Sequence, residues 1–307
     1  MAASRLSRLC KRSLSVFNPS SQLWLPIVSS RCAPSQGKAQ PALQSSLSLI
    51  TQNLDAFSSR PIARAEQLLG GILKESEGPP DIIFLQEVRS DVRTSILSNP
   101  EVREAFLVTD AEDLTSFKGV PFANMTLLSS KRFTFNLESQ KDGNGVERGE
   151  KFMLGPVSRI ELPSKYGRCA LSVDIIPAST LSTPTLAYCL INMEILANLL
   201  REPGCGGGLI AGDFNAISPK DHTLLDKNGL VDAWVALYGK QGLKGATWGV
   251  GGERHDGGRL DKVAMLGVEA KDMEILRPGL IEVPKPSKNS DLIPCSDHCG
   301  LRLSFTI

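Results

Sequence analysis

Leu209-Ile210-Ala211-Gly212-Asp213-Phe214-Asn215 is the stretch from which the rest of the chain is read. The apolar run Leu209–Ala211 has the character of a buried strand, and Gly212 at its end lets the backbone turn sharply. That turn presents one carboxylate, Asp213, and one carboxamide, Asn215, at the carboxyl end of the strand. A carboxylate there can orient or deprotonate a water, and the Asn can donate to a phosphoryl or acyl oxygen, so the pair points to hydrolysis of a charged ester. Taken alone, Gly-Asp-x-Asn describes a strand followed by an Asx-turn equally well.

Outward from this strand, short apolar runs recur at Leu47–Asn53, Ile82–Leu85, Met125–Ser129, Cys169–Ile176, Leu186–Ile191, Leu260–Leu266 and Leu301–Ile307. Helical patterns fall at Ile62–Leu73, Met193–Leu200 and Asp221–Lys227. Many short strands with fewer helices predict stacked sheets with helices outside. Asp142-Gly-Asn-Gly145 and Gly249–Gly258 are Gly-rich, but neither has the strand-to-helix setting of a phosphate-binding loop.

The chain has 307 residues, 41% of them apolar, enough for one large α/β domain, predicted to start near residue 47. Residues 1–54 hold six Lys/Arg and no acid, leaving 28 basic against 33 acidic residues beyond them. The body is thus mildly acidic and is no non-specific nucleic-acid coat; contact with nucleic acid needs a local patch or a metal. Leu6, Leu9, Cys10, Ser13, Leu14 and Phe17 share one helical face, with Arg5, Arg8 and Arg12 on another. Residues 1–46 therefore read as a flexible basic extension or a mitochondrial transit peptide, with nuclear or cytoplasmic residence as the alternative. No run is long enough to span a membrane, so no membrane partner is expected. The seven cysteines form no C-x-x-C set and read as ordinary reduced thiols.

Four more motifs fall at or near strand ends: Gln52-Asn53-Leu54-Asp55, Leu85-Gln86-Glu87-Val88, Arg259-Leu260-Asp261-Lys262 and Ser296-Asp297-His298. Glu87 closing a buried run is a good ligand for a hard cation. Singly, each has a plain structural explanation: turn formers at Asn53 and Asp55, a surface acid at Glu87, an Arg259–Asp261 ion pair, a cap at His298.

As an ordered series, these motifs resemble the endonuclease/exonuclease/phosphatase superfamily, the DNase I-like metal-dependent phosphoesterases, over essentially Leu47 to Ile307. Asn53-Leu54-Asp55, Phe84-Leu85-Gln86-Glu87 and Thr247-Trp248 are most similar to the corresponding motifs of the 5′-tyrosyl-DNA phosphodiesterases. The resemblance implies a four-layer α/β sandwich of two packed mixed sheets flanked by helices, acting as a monomer on DNA ends with Mg²⁺ or Mn²⁺. Substrates in RNA or phosphoinositides, or a catalytically impaired member that only binds, are the alternatives.

Carried over residue by residue, the resemblance makes Glu87, with Asp55 and Asp297 near it, the metal ligands. Asp213 becomes the group that activates water, and Asn53 and Asn215 hold the phosphoryl oxygens. His298, oriented by Asp261, stabilises charge at phosphorus, and Trp248 packs near the first nucleotide. Two departures stand out. Gln52 replaces a usual Trp, which predicts looser packing under Asn53. Relatives also continue the strand equivalent to Leu186–Asn192 into a His-Leu-Asp/Glu-Ser segment, whereas here helical Met193 follows at once. Strand-to-helix connections usually take about 2–6 residues, so either Asn192 and the helix start unravel or the sequence has lost a segment.

Overall fold

A computed structural model describes residues 9–27, 46–74, 78–112, 115–135, 151–163, 168–176, 185–188, 193–203, 205–239, 245–250, 257–284 and 290–307. In chain order the strands are β1 (Leu9–Arg12), β2 (Leu14–Asn18), β3 (Leu23–Pro26), β4 (Ser46–Asn53), β5 (Ile82–Val88), β6 (Phe106–Thr109), β7 (Ala123–Ser129), β8 (Phe133–Thr134) and β9 (Phe152–Glu161). They continue with β10 (Cys169–Ile176), β11 (Thr185–Tyr188), β12 (Gly208–Asp213), β13 (Val231–Asp232), β14 (Asp261–Leu266), β15 (Glu269–Leu276), β16 (Leu280–Pro284), β17 (Ser290–Pro294) and β18 (Gly300–Thr306). The helices are α1 (Pro61–Leu73), α2 (Ser90–Ser98), α3 (Pro100–Ala105), α4 (Met193–Leu199), α5 (Leu224–Lys227) and α6 (Ala233–Tyr238).

One mixed sheet runs β1-β9-β10-β11-β12-β14-β13, with β8 beside β9; a second runs β15-β18-β4-β5-β7-β6-β2-β3; β16 and β17 form a hairpin. Alternation along the central strands explains why the sheets stack. Leu49, Ile82, Phe84, Leu209, Ala211, Val263, Leu301 and Leu303 meet in one core between the sheets. Their neighbours Ile50, Ile83 and Leu85 point the other way, onto Leu68, Leu69, Ile72, Val92 and Ile96 of α1 and α2. Ile210 and Ala264 likewise turn away to Leu196, Ala197 and Leu225 of α4 and α5. Strands covered on both faces read as continuous apolar runs, which is why β4, β5 and β12 were visible in the sequence. The resulting order of helix, sheet, sheet, helix is the expected four-layer sandwich.

Register then builds one end of that sandwich. Parallel β4 and β5 set Asn53 opposite Gln86, so both strands finish together. Antiparallel β12 and β14 set Asp213 directly opposite Asp261. The terminal strand β18 lies against β4, Leu301 opposite Thr51, which brings the turn before it to the same end.

The amino-terminal reading needs correction for its described part. Residues 9–27 are not flexible: β1 pairs with β9 at the edge of the first sheet, and β2 pairs with β6 and β3 in the second. The physical reason is that both sheets leave an edge that wants a partner, and Leu14 and Phe17 bury their side chains there. Apolar residues at three- and four-residue spacings suggested a helix, and two short strands separated by Ser13 produce the same spacing. Arg12 locks the segment, its Nε 2.7 Å from Asp110 Oδ1, while Arg159 from β9 holds the other Asp110 oxygen at 3.0 Å.

Asp221–Lys227 is a 3₁₀ turn, Asp221–Thr223, followed by α5. The junction expected at Asn192–Met193, the Asp142–Gly145 loop and residues 251–256 of the second Gly-rich stretch lie outside the described residues.

Candidate active site

Asp213, Asn53 and Asn215 come together because β4 and β12 end side by side across the sandwich. Asp213 is buried, and its two oxygens are committed to the asparagines. Oδ1 accepts from the Asn215 backbone N–H at 2.8 Å; Oδ2 accepts from Asn215 Nδ2 at 2.7 Å and from Asn53 Nδ2 at 3.4 Å. Asn215 reaches back because its backbone sits in the left-handed region, φ 46°. The Asx-turn reading of Gly-Asp-Phe-Asn is therefore compatible with the site reading: the turn places the amide on the acid.

Asp261 and His298 form the second half. His298 Nδ1 lies 2.8 Å from Asp261 Oδ2, with both residues buried. One ligand-capable atom each from Asp213, Asp261 and His298 lies within 4.8 Å of the others. Burial disfavours charge on the imidazole, but the hydrogen bond and charge of Asp261, then the Asp213 charge, push His298 up to about 9. Burial, with the Asp261 charge, raises Asp213 to about 6, against the pull of His298 and of the Asn215 N–H. At neutral pH Asp213 is a carboxylate and His298 an imidazolium whose Nε2–H is not spent on Asp261. The three groups thus form a buried charged cluster whose spacing would also suit a metal ion.

Glu87 lines a cavity of about 430 Å³ with Asn53, Asp213 and Asn215. Its Oε2 accepts from Ala56 N–H at 3.1 Å, and its own φ is 56° at a break in the β5–β7 register. Two site residues on left-handed backbone show local strain held where function gathers. Gln86 lines the same cavity, and its buried Oε1 has no hydrogen-bond partner among the described residues. A hard oxygen donor beside an unsatisfied acceptor suits a hydrated divalent cation.

The other two expected metal ligands are placed differently. Asp55 pairs with buried Arg64, 2.8 Å from Nη2, and accepts from the Ser58 hydroxyl, so its carboxylate is a structural anchor for the loop into α1. A buried guanidinium needs an anion, and Asp55 supplies it. Asp297 is half exposed, accepts from the Trp248 indole N–H at 3.1 Å and stands 3.9 Å from His298 Nε2, so its neighbour is the imidazole. Trp248 accordingly props Asp297 at the rim, and its backbone bridges to His298. The structure thus gathers Asn53, Glu87, Asp213, Asn215, Asp261 and His298, sets Asp297 and Trp248 beside them, and keeps Asp55 apart.

Several supporting residues escaped the sequence reading. Gln52 donates from Nε2 to the carbonyls of Asn53 at 2.7 Å and His298 at 3.3 Å, so it ties β4 to the histidine turn where looser packing was expected. Ser296 Oγ donates to Asn53 O at 2.8 Å and accepts from His298 N–H at 3.1 Å. Thr247 Oγ1 accepts from Asp261 N–H at 2.9 Å. Only position within already visible motifs signalled Ser296 and Thr247; for Gln52, polarity in a buried run was the available hint. Cys295 and Cys299, flanking the motif, are free thiols as expected.

The sequence model of the Endonuclease/Exonuclease/phosphatase family matches residues 50–298, and the chain belongs to that family. No curated protein sequence matches it. Among solved structures, TDP2 of Caenorhabditis elegans is 18% identical, with a TM-score of 0.58 over 86% of this chain and 75% of that one. TDP2 of D. rerio, complexed with single strand DNA product, is 16% identical, with a TM-score of 0.58 over 86% of this chain and all of that one, 100%. A mannosyl-6-phosphatase of Bacteroides thetaiotaomicron is 13% identical, with a TM-score of 0.55 over 85% of this chain and 100% of its own. These likenesses are of fold.

Proposed function

We propose that this member of the Endonuclease/Exonuclease/phosphatase family is a divalent-metal-dependent phosphodiesterase acting on DNA ends, with 5′-tyrosyl and related blocked ends as its substrates. One observation carries the reading: Asp213 lines a cavity together with the amides of Asn53, Gln86 and Asn215, and ligand-capable atoms of Asp261 and His298 lie within 4.8 Å of it and of each other. A base and a cationic donor on facing strand ends suit attack of water on a phosphoryl group.

Asp213 takes the proton of the attacking water as its oxygen bonds to phosphorus, and the leaving oxygen departs with the bonding pair and is protonated by solvent. Asn53 and Asn215 donate to non-bridging oxygens once substrate displaces their bonds to Asp213. Asp261 keeps the His298 imidazolium oriented, and Nε2–H faces the developing negative charge. Glu87 is the residue that would hold Mg²⁺ or Mn²⁺. When bound, such an ion supplies charge neutralisation at the phosphoryl group. Helices long and apolar enough to cross a membrane are absent among the described residues. The arrangement supports work by a monomer, since one chain brings every named group to the site.

The test is turnover of a 5′-tyrosyl oligonucleotide, a chromogenic phosphodiester and mannose 6-phosphate, with Mg²⁺ and with EDTA. Preference for the tyrosyl substrate with metal is expected. Turnover of the sugar monoester alone points to the phosphatase chemistry named for the Bacteroides protein, and no turnover points to a binding protein; either result overturns the proposal. Wild-type rates in Glu87→Ala or in EDTA overturn the metal assignment.

We also propose mitochondrial import, supported by the acid-free, Arg-bearing start of the chain. Because residues 9–27 are paired strands in the fold, the signal is read before folding. Residues 1–30 fused to a fluorescent protein should reach mitochondria; a diffuse or nuclear signal overturns this.

A further inference from the structure

Beside the catalytic groups, the same cavity is lined by Phe57, Val120, Pro121 and Phe122. Phe57 leaves 76% of its surface exposed and Val120 40%. Phe57 and Phe122 meet edge to face, centroids 5.5 Å apart and planes at 88°. An edge-to-face pair fixes both rings while leaving a ring face of the exposed member open to a third ring.

The loop bearing Phe57 has little freedom relative to the site. Asp55 N–H donates to Asn53 Oδ1 at 2.9 Å, Ala56 N–H to Glu87 Oε2 at 3.1 Å, and Asp55 is clamped by Arg64. The residue next to Phe57 thus holds the Glu87 carboxylate, and the aromatic surface stands at a set offset from the place where a phosphoryl group would sit. Single exposed apolar residues are ordinary on protein surfaces. An exposed Phe braced by a second Phe inside a catalytic cavity is different, because a bound ring there would find both a stacking partner and a fixed distance to its own phosphate.

We propose that Phe57, backed by Phe122, is a stacking platform for a planar ring carried by the phosphoester that this cavity binds. The assignment deepens the phosphodiesterase reading above and rests on it for the place of the phosphate. The ring is a nucleobase or an aryl ester; sugar and inositol phosphates have no such face to offer.

The experiment compares two matched ligand pairs by isothermal titration calorimetry with Ca²⁺ present: thymidine 5′-phosphate against abasic deoxyribose 5′-phosphate, and phenyl phosphate against methyl phosphate. In the wild-type chain at least one ring-bearing ligand should bind about fivefold or more tighter than its ringless match. Phe57→Ala, at an exposed position that leaves the fold intact, should abolish the preference, and Phe57→Trp should keep it. The responding pair identifies the ring as base or aryl. No preference in either pair, including no binding at all, overturns the platform, as does a preference that survives Phe57→Ala. Because affinity is read without turnover, a Phe57-dependent preference in a chain that cleaves no phosphodiester would overturn the catalytic reading and leave the platform standing.

Discussion

At Asp213, burial and the Asp261 charge hold the carboxyl near 6, while Asp261 and Asp213 hold the His298 imidazole near 9. Below about 6 Asp213 takes up a proton and the base is lost; above about 9 His298 gives up its proton and the cation is lost. The pH profile of kcat/KM should therefore be bell-shaped between those limits. Asp261→Asn removes a charge that raises both groups, so both limbs should move to lower pH; an unmoved alkaline limb would refute the assignment of His298. Asp213→Asn keeps the shape but removes the base, and should lower the rate by at least about 10²-fold with an unchanged melting curve. Near-normal rates would leave Gly-Asp-Phe-Asn a turn and nothing more. At this scale the sequence was legible as to place wherever a motif sits at a strand end, as at Asp213, Asn53, Glu87, Asp261 and His298, which one end of the sandwich gathers. It was silent on the partner of Asp55, because the ion pair with Arg64 depends on how α1 docks, and no local pattern encodes that.

β4 and β18 owe their mutual position partly to Gln52, which bonds carbonyls on both sides of the site. Gln52→Leu fills the same space without a donor and leaves two buried acceptors short. A fall of roughly 3–8 °C in Tm is expected, together with a loss in kcat larger than any change in KM. Unchanged melting would show that the bonds are dispensable. On β10, Asp174 is raised to about 7 by burial and by the Glu202 charge. Its folded value lies above its unfolded one, so stability is fully present below about 4 and is lost as pH rises toward 7. Asp174→Asn should consequently raise Tm at pH 8 and hardly alter it at pH 4; equal effects at both would exclude this ionisation as the cause. Elements sandwiched between two apolar layers were readable from composition alone. Strands at or next to a sheet edge, such as β1, β2 and β15, were not, since pairing with a partner, and not their own pattern, makes them strands.

Across the whole molecule, Leu9–Asn18 passes from one sheet to the other and delivers Arg12 to the buried Asp110. Arg12→Ala takes one guanidinium from a buried carboxylate and should cost about 1–3 kcal/mol in urea unfolding; deleting residues 1–27 also bares two sheet edges and should yield aggregated protein. A soluble, normally melting deletion would show the segment to be dispensable. The sandwich class was legible because three layers of apolar alternation require it, whereas the crossing of residues 9–18 between sheets is a long-range event. The pairing of β18 with β4 is longer in range still, with Gln52 and His298 246 positions apart. During synthesis β4 emerges long before its partner β18, and non-local pairing of this kind folds slowly. Until residues 300–306 leave the ribosome, β4 and β15 have no strand between them and the turn that carries His298 is not anchored against β4. A chain ending at residue 299 should thus be digested along its length by a protease and not merely trimmed at its end. The seam between β4 and β18 is the place where a chain of this order stays open longest, and the end of the sandwich that carries the candidate site closes late.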